Sequence, residues 1–125
     1  MSAIDHPRTT KHTGTCPLTR TIRLIGDMWT LMIVYNLMSG SKRFGELLEA
    51  LGNVSPKTVS QRLKMLEEAK FVERQAYAEI PPRVEYHLTE KGLALVDIIT
   101  AMQEFGERYL PDPDSPTSST EKQCL

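Results

Sequence analysis

The residues best suited to chemistry in this 125-residue chain lie between Ser55 and Glu68. Lys57, Gln61 and Lys64 recur at i, i+4 and i+7, flanked by Ser55, Thr58, Ser60 and Arg62. At helical spacing they form one face of ammonium, amide, hydroxyl and guanidinium donors. Such a face suits phosphate oxygens and base edges, with Gln61 matched to adenine and Arg62 to guanine. Arg62 has a second reading, in which it packs against the protein body and reaches only phosphate. Ser55, Lys57, Thr58, Gln61 and Arg62 are therefore candidate groove contacts, and Lys64 a phosphate contact. Lys42, Arg43 and Arg83 are candidate backbone contacts, which position a protein on a duplex without reading sequence.

A basic stripe also occurs on plain solvated helices. Here its order argues for a partner. Ser55 can cap the helix and Pro56 can fill its first turn. The cations crowd the cap half, while Glu67 and Glu68 wait until the last turn, the reverse of what the helix dipole favours in water alone.

Cys16 is the second candidate. It stands before Pro17 at an expected helix start, where the dipole, with Arg20 and Arg23 further along, would favour a thiolate. The other reading is a small buried apolar residue, a common fate of a free cysteine. Cys124 could pair with Cys16 of either subunit or do nothing. His6, His12 and His87 are scattered, so no metal site is expected. No Ser-His-Asp order, phosphate-cradling glycine loop or paired carboxylates emerge, so neither an enzyme nor a cofactor is expected. Trp29 with Met28, Met32 and Met38 could line a ligand pocket, or simply fill the core.

These side chains need a scaffold, and the composition supplies one. With 40% hydrophobic and 25% charged residues the chain has the make-up of a globular domain, not of a disordered or fibrous one. Its net charge of −1 is neutral ground for a nucleic-acid partner. The distribution is uneven: +3 over residues 1–25, zero over 26–91 and −4 over 92–125. A partner within a Debye length senses the local face and not the total. The near-uncharged stretch from Met28 to Ser41 is too short to span a membrane. The opening residues, with Asp5, His6, Arg8 and Lys11, do not read as a secretory signal, and two cysteines form no disulfide framework. A cytoplasmic location is the expectation.

Residues 1–14 read as a flexible arm and 111–125 as a disordered tail, leaving a folded body over 15–110. Helices are predicted from Pro17 to the Gly26-Asp27 break, from about Trp29 to Met38, from Phe44 to Leu51, and from the Ser55 cap onward. Strands at Phe71–Ala76 and Val84–Leu88 flank a loop holding Pro81-Pro82, which would hold Arg83 out over a duplex backbone. Thr89 then caps a long helix whose apolar positions Leu95, Ile98, Ile99, Met102, Phe105 and Tyr109 exceed what one small core can cover. That surplus predicts a homodimer. The fold class is α+β, mainly α: a winged helix-turn-helix with a two-stranded β-wing and a long C-terminal dimerisation helix.

The strings Cys16-Pro17, Gly26-Asp27-Met28-Trp29-Thr30 and Arg43-Phe44-x-Glu46-Leu47 resemble the HxlR-type regulators, winged-helix transcription factors related to the MarR group. So do Ser55-Pro56-Lys57-Thr58-Val59-x-Gln61-Arg62-Leu63 and Pro81-Pro82-Arg83-Val84-Glu85-Tyr86-x-Leu88-Thr89-x-Lys91-Gly92. The match covers about residues 15–107. The resemblance implies a homodimer joined through terminal helices, binding a pseudo-palindromic operator in double-stranded DNA and usually repressing a neighbouring gene. Several members sense oxidants or quinones through a cysteine in the Cys-Pro position, which implies the same role for Cys16. This chain departs from the family at Lys70-Phe71-Val72, where a glycine is usual before the first strand; the change touches a turn and not the DNA face. The alternative reading is a winged-helix protein-interaction module without specific DNA binding. The operator and any small-molecule effector are not legible.

Overall fold

The computed structural model describes residues 16–113. The arm read at 1–14, the tail beyond residue 113 and Cys124 lie outside the described residues.

Helix α1 (Pro17–Ile25) begins with Pro17 in its first turn and ends at Gly26, whose N–H donates to the Ile22 carbonyl at 2.6 Å. A side chain on Gly26 would collide with that carbonyl oxygen, so the position accepts only glycine without a shift. Helix α2 (Met28–Leu37) starts and stops one residue before the expected bounds. Its Ile33, Val34 and Leu37 are buried, and it touches α1, the wing and every later helix. An apolar circumference fits that central place. Trp29, Met32 and Met38 pack against the core, matching the core-filling reading, while Met28 is exposed.

Helix α3 (Phe44–Leu51) and helix α4 (Pro56–Glu68) follow as the turn pair. Val59, Leu63 and Leu66 of α4 are buried, as their i, i+4, i+7 spacing requires. Lys70 lies in the left-handed region at φ 71 and stops α4 with a paired set of bonds. The Phe71 N–H reaches the Leu66 carbonyl at 2.9 Å and the Lys70 N–H reaches Glu67 at 3.0 Å. This is the stop a helix commonly makes around glycine.

Strands β1 (Val72–Tyr77) and β2 (Arg83–Leu88) pair antiparallel, from Val72 opposite Leu88 to Tyr77 opposite Arg83. The link before α3 adds an isolated bridge to this ribbon: Lys42 and Tyr86 exchange N–H···O bonds of 3.0 and 2.8 Å. The wing is thereby tied to the entrance of the turn pair.

Helix α5 (Glu90–Tyr109) is capped by Thr89, whose hydroxyl oxygen accepts from the Gly92 N–H at 3.0 Å. The same hydroxyl donates to the Lys70 carbonyl at 2.7 Å, and Lys91 Nζ donates to the Ala69 carbonyl at 2.9 Å. The end of α4 and the start of α5 are thus bonded together. The expectation that Leu95 and Ile99 serve dimerisation is corrected here. Both are buried within the single chain, where they complete its core. They face the body because they lie four residues apart on one side of α5, below Gly92. Ile98, Met102, Phe105 and Tyr109 lie on another side and are exposed, Phe105 and Tyr109 with ring centroids 5.1 Å apart. With Asp97, Ala101, Gly106 and Leu110 this side forms a shallow, largely apolar groove. No described helix is long and apolar enough to cross a membrane.

Candidate nucleic-acid interface

Helix α4 presents one face outward, with Lys57, Gln61 and Lys64 on it, and buries Val59 on the other. The Ser55 Oγ accepts from the Thr58 N–H at 3.1 Å and donates to Thr58 Oγ1 at 3.0 Å, so these two hydroxyls hold the helix start together. Lys57, Gln61 and Lys64 are exposed and have no hydrogen bond or ion pair among the described residues. Their donors are left for another molecule.

Arg62 is placed differently. Its Nε donates to Asp27 Oδ2 at 2.8 Å and its Nη2 to Oδ1 at 3.4 Å. Of its two readings, packing against the body is the one the geometry fits, and guanine reading by this side chain is not. The same Asp27 carboxylate caps α2, accepting from the Thr30 N–H at 2.9 Å and its hydroxyl at 3.0 Å. That satisfies Thr30, a fully buried polar residue of the core. The Arg62 hydrogen bond, followed by those from Thr30, holds the Asp27 carboxyl down to about 2 against the opposing effect of desolvation. In return, Asp27 raises the Arg62 guanidinium above its ordinary value.

The expected backbone contacts divide. Arg43 is exposed, and its N–H donates to Glu46 Oε1 at 2.8 Å to start α3. Lys42 is half-buried and its Nζ donates to Ser39 Oγ at 3.0 Å, a weak tether that a phosphate could replace. Arg83 does not extend over a flank as expected. It turns onto the wing, with Nη2 3.1 Å from Glu79, Nε 3.6 Å from Glu85, and its guanidinium 4.1 Å from the centre of the Tyr77 ring. Two carboxylates and an aromatic face hold it because the hairpin register sets Tyr77 opposite Arg83. Arg74 on β1 is exposed with no partner among the described residues, while His87 pairs across the ribbon with Glu73 at 3.1 Å.

Cys16 is exposed, which removes the reading as a buried apolar residue. Its thiol caps α1: Sγ lies 3.1 Å from Thr19 Oγ1 and accepts from the Thr19 N–H at 3.4 Å. These Thr19 bonds, with a smaller contribution from the charge of Arg20, draw the thiol below its ordinary value.

Three contributors escaped the sequence reading. Thr19 and Asp27 are both in capping spacing, Cys16-x-x-Thr19 and Asp27-x-x-Thr30, which is a visible signal. The pairing of Asp27 with Arg62 spans 35 residues and leaves no local trace. Tyr77 becomes visible as a partner for Arg83 only once the hairpin register is known.

Comparison with known proteins agrees with this geometry. The pattern of the HxlR-like helix-turn-helix family matches residues 24–114. An HTH-type transcriptional regulator of Mycobacterium tuberculosis is 41% identical over 97 residues, 78% of this chain and 61% of that protein. Among solved structures, the redox regulator HypR in its oxidized form is similar with a TM-score of 0.72 and 35% identity, covering 74% of this chain and 96% of that one. The reduced form of the transcriptional regulator YodB from B. subtilis is similar with a TM-score of 0.68 and 39% identity, covering 78% and 96%.

Proposed function

The chain belongs to the HxlR-like helix-turn-helix family of transcriptional regulators, and on that premise we propose that it binds an operator as a homodimer and represses the adjacent gene. The observation that carries this reading is the outward face of α4, where Lys57, Gln61 and Lys64 stand exposed and unpartnered among the described residues. Donors left unpaired along the outer face of the second helix of a turn pair fit the entry of that helix into a major groove. Lys57 and Lys64 supply the phosphate attraction and Gln61 reads a base. Arg43 and Lys42 hold the flanking backbone. The exposed Ile98, Met102, Phe105 and Tyr109 of α5 supply the apolar face for a second copy. A dimer seated on a promoter would repress by excluding the polymerase.

Cys16 gives this regulator a response to electrophiles and oxidants. Its exposure, its bonds to Thr19 and its lowered titration favour the nucleophilic thiolate. The likeness to a redox regulator supports the same role.

The test is titration of the purified protein against a labelled duplex from its own upstream intergenic region, at two salt concentrations, with and without a quinone. The expected result is tight, sequence-selective binding that falls steeply with salt and is lost on quinone treatment. A Cys16→Ser variant keeps the binding and loses the response. Binding no tighter than to random duplex, there and in selection from random sequences, would favour the protein-interaction module instead.

A further inference from the structure

Asp27 does two jobs, and one of them does not need its charge. As the cap of α2 it accepts from the Thr30 N–H and hydroxyl, a duty that asparagine performs about as well as aspartate. The negative charge is used elsewhere, on Arg62 of α4, through two N–H···O contacts of 2.8 and 3.4 Å. Paired contacts between a planar guanidinium and a carboxylate fix orientation as well as distance. Arg62 lies beside Gln61 at the edge of the buried stripe, so its tether limits rotation of α4 about its own axis. One residue of slip on a helix is a turn of 100°, enough to swing a base-reading side chain out of its groove.

The pair also removes a cation from the DNA-facing helix. A free guanidinium there would add attraction for any duplex, whatever its sequence. Held by Asp27, the same group contributes orientation without that unselective attraction. The carboxyl remains ionised down to about pH 2, so the clamp is closed throughout the physiological range.

We infer that Asp27 is a positioning residue for DNA selectivity: through Arg62 it fixes the attitude of the recognition helix and withholds one cation from non-specific binding. The inference rests on the DNA-binding reading above, and nothing in the local sequence around Asp27 or Arg62 announces it.

The experiment compares wild type with Asp27→Asn, Asp27→Glu and Arg62→Gln on two probes: a duplex selected by the wild-type protein from a random pool, and an unselected random duplex. Asp27→Asn keeps the cap and loses the clamp, whereas Asp27→Glu keeps the charge and weakens the cap. The selected-to-random affinity ratio is expected to fall about tenfold in Asp27→Asn and to recover in Asp27→Glu. Freed Arg62 should steepen the log–log salt slope on random duplex by roughly 0.9 per subunit, about 1.8 for a dimer, in Asp27→Asn, and the double variant with Arg62→Gln should return it to the wild-type value. Arg62→Gln alone should lower the ratio without steepening the slope. Thermal unfolding is recorded for each variant, because a merely structural role would make the ratio track stability. A ratio unchanged in Asp27→Asn, or one that follows melting temperature across the set, overturns the inference and leaves the DNA-binding reading standing. A wild-type protein that selects no duplex from the pool overturns both.

Discussion

The recognition helix and the wing both carry basic side chains, yet the lysines of the one and Arg83 of the other are held in opposite ways. Arg74 on the wing is exposed with no partner among the described residues. On α4, Lys57 and Lys64 have no partner among the described residues. On the wing, Arg83 is held by Glu79, Glu85 and the Tyr77 ring. A cation already facing two carboxylates must give them up before it can serve a phosphate, whereas an unpaired one sheds only water and counterions. Counting basic residues therefore misjudges where a nucleic acid would be held. Their partners in the folded chain decide it. Arg62 stands between the cases, on the recognition helix but held by Asp27.

Four measurements test this contrast. The largest effect is expected from removing both free lysines. Lys57→Ala with Lys64→Ala should reduce the salt slope of operator binding by about 1.8 per subunit, about 3.6 for a dimer, and weaken binding at least tenfold at moderate salt. Electrophoretic shift at several salt concentrations reads both quantities, and an unchanged slope would remove α4 from the interface. Next, Gln61→Ala should cost about 1–3 kcal/mol of discrimination at one operator position while leaving affinity for random duplex nearly constant. Selection from random sequences with wild type and variant would reveal the relaxed position.

A smaller effect is expected on the wing. Arg83→Ala should lower stability by about 0.5–1 kcal/mol through loss of its ring and carboxylate contacts, and change operator affinity less than twofold. A tenfold loss of affinity with stability intact would show that the wing releases its arginine to DNA, and the contrast would collapse. The smallest effect concerns acid. The Asp27 carboxyl titrates lower when folded, at about 2, than the roughly 3.9 of an unfolded aspartate. Its contribution is therefore complete above about pH 4 and is lost as the pH falls towards 2. Urea unfolding between pH 5 and pH 2 should show a shallower acid decline in Asp27→Asn than in wild type.

Much of this was legible because it is local. Capping by Ser55 and Thr89, the break at Gly26-Asp27 and the spacing of Val59, Leu63 and Leu66 set the helices to within a residue or two. The strand-like runs read at Phe71–Ala76 and Val84–Leu88, with the loop around Pro81, set the hairpin to within a residue. The order of these elements, helices followed by a hairpin and a long helix, described a winged helix-turn-helix, and the family resemblance agreed with it. What escaped depends on three dimensions. Spacing alone could not divide the apolar positions of α5, and burial assigns Leu95 and Ile99 to the core while leaving Met102 and Phe105 outside. The partners of Arg62 and Arg83 were hidden for the same reason, since each is brought close by tertiary packing or strand register.

The stop at the end of α4 has its own consequence. Lys70 holds a backbone conformation at φ 71 that glycine adopts more freely. Glycine there would relieve the folded turn, but it would also widen the range of shapes open to the unfolded chain. The two effects oppose each other, each on the order of 1 kcal/mol. A lysine that looks ill-chosen in the native geometry is thus nearly neutral once both ensembles are counted. The identity of a residue at a helix stop is set by that difference, and a chain can lose the customary glycine without losing the turn.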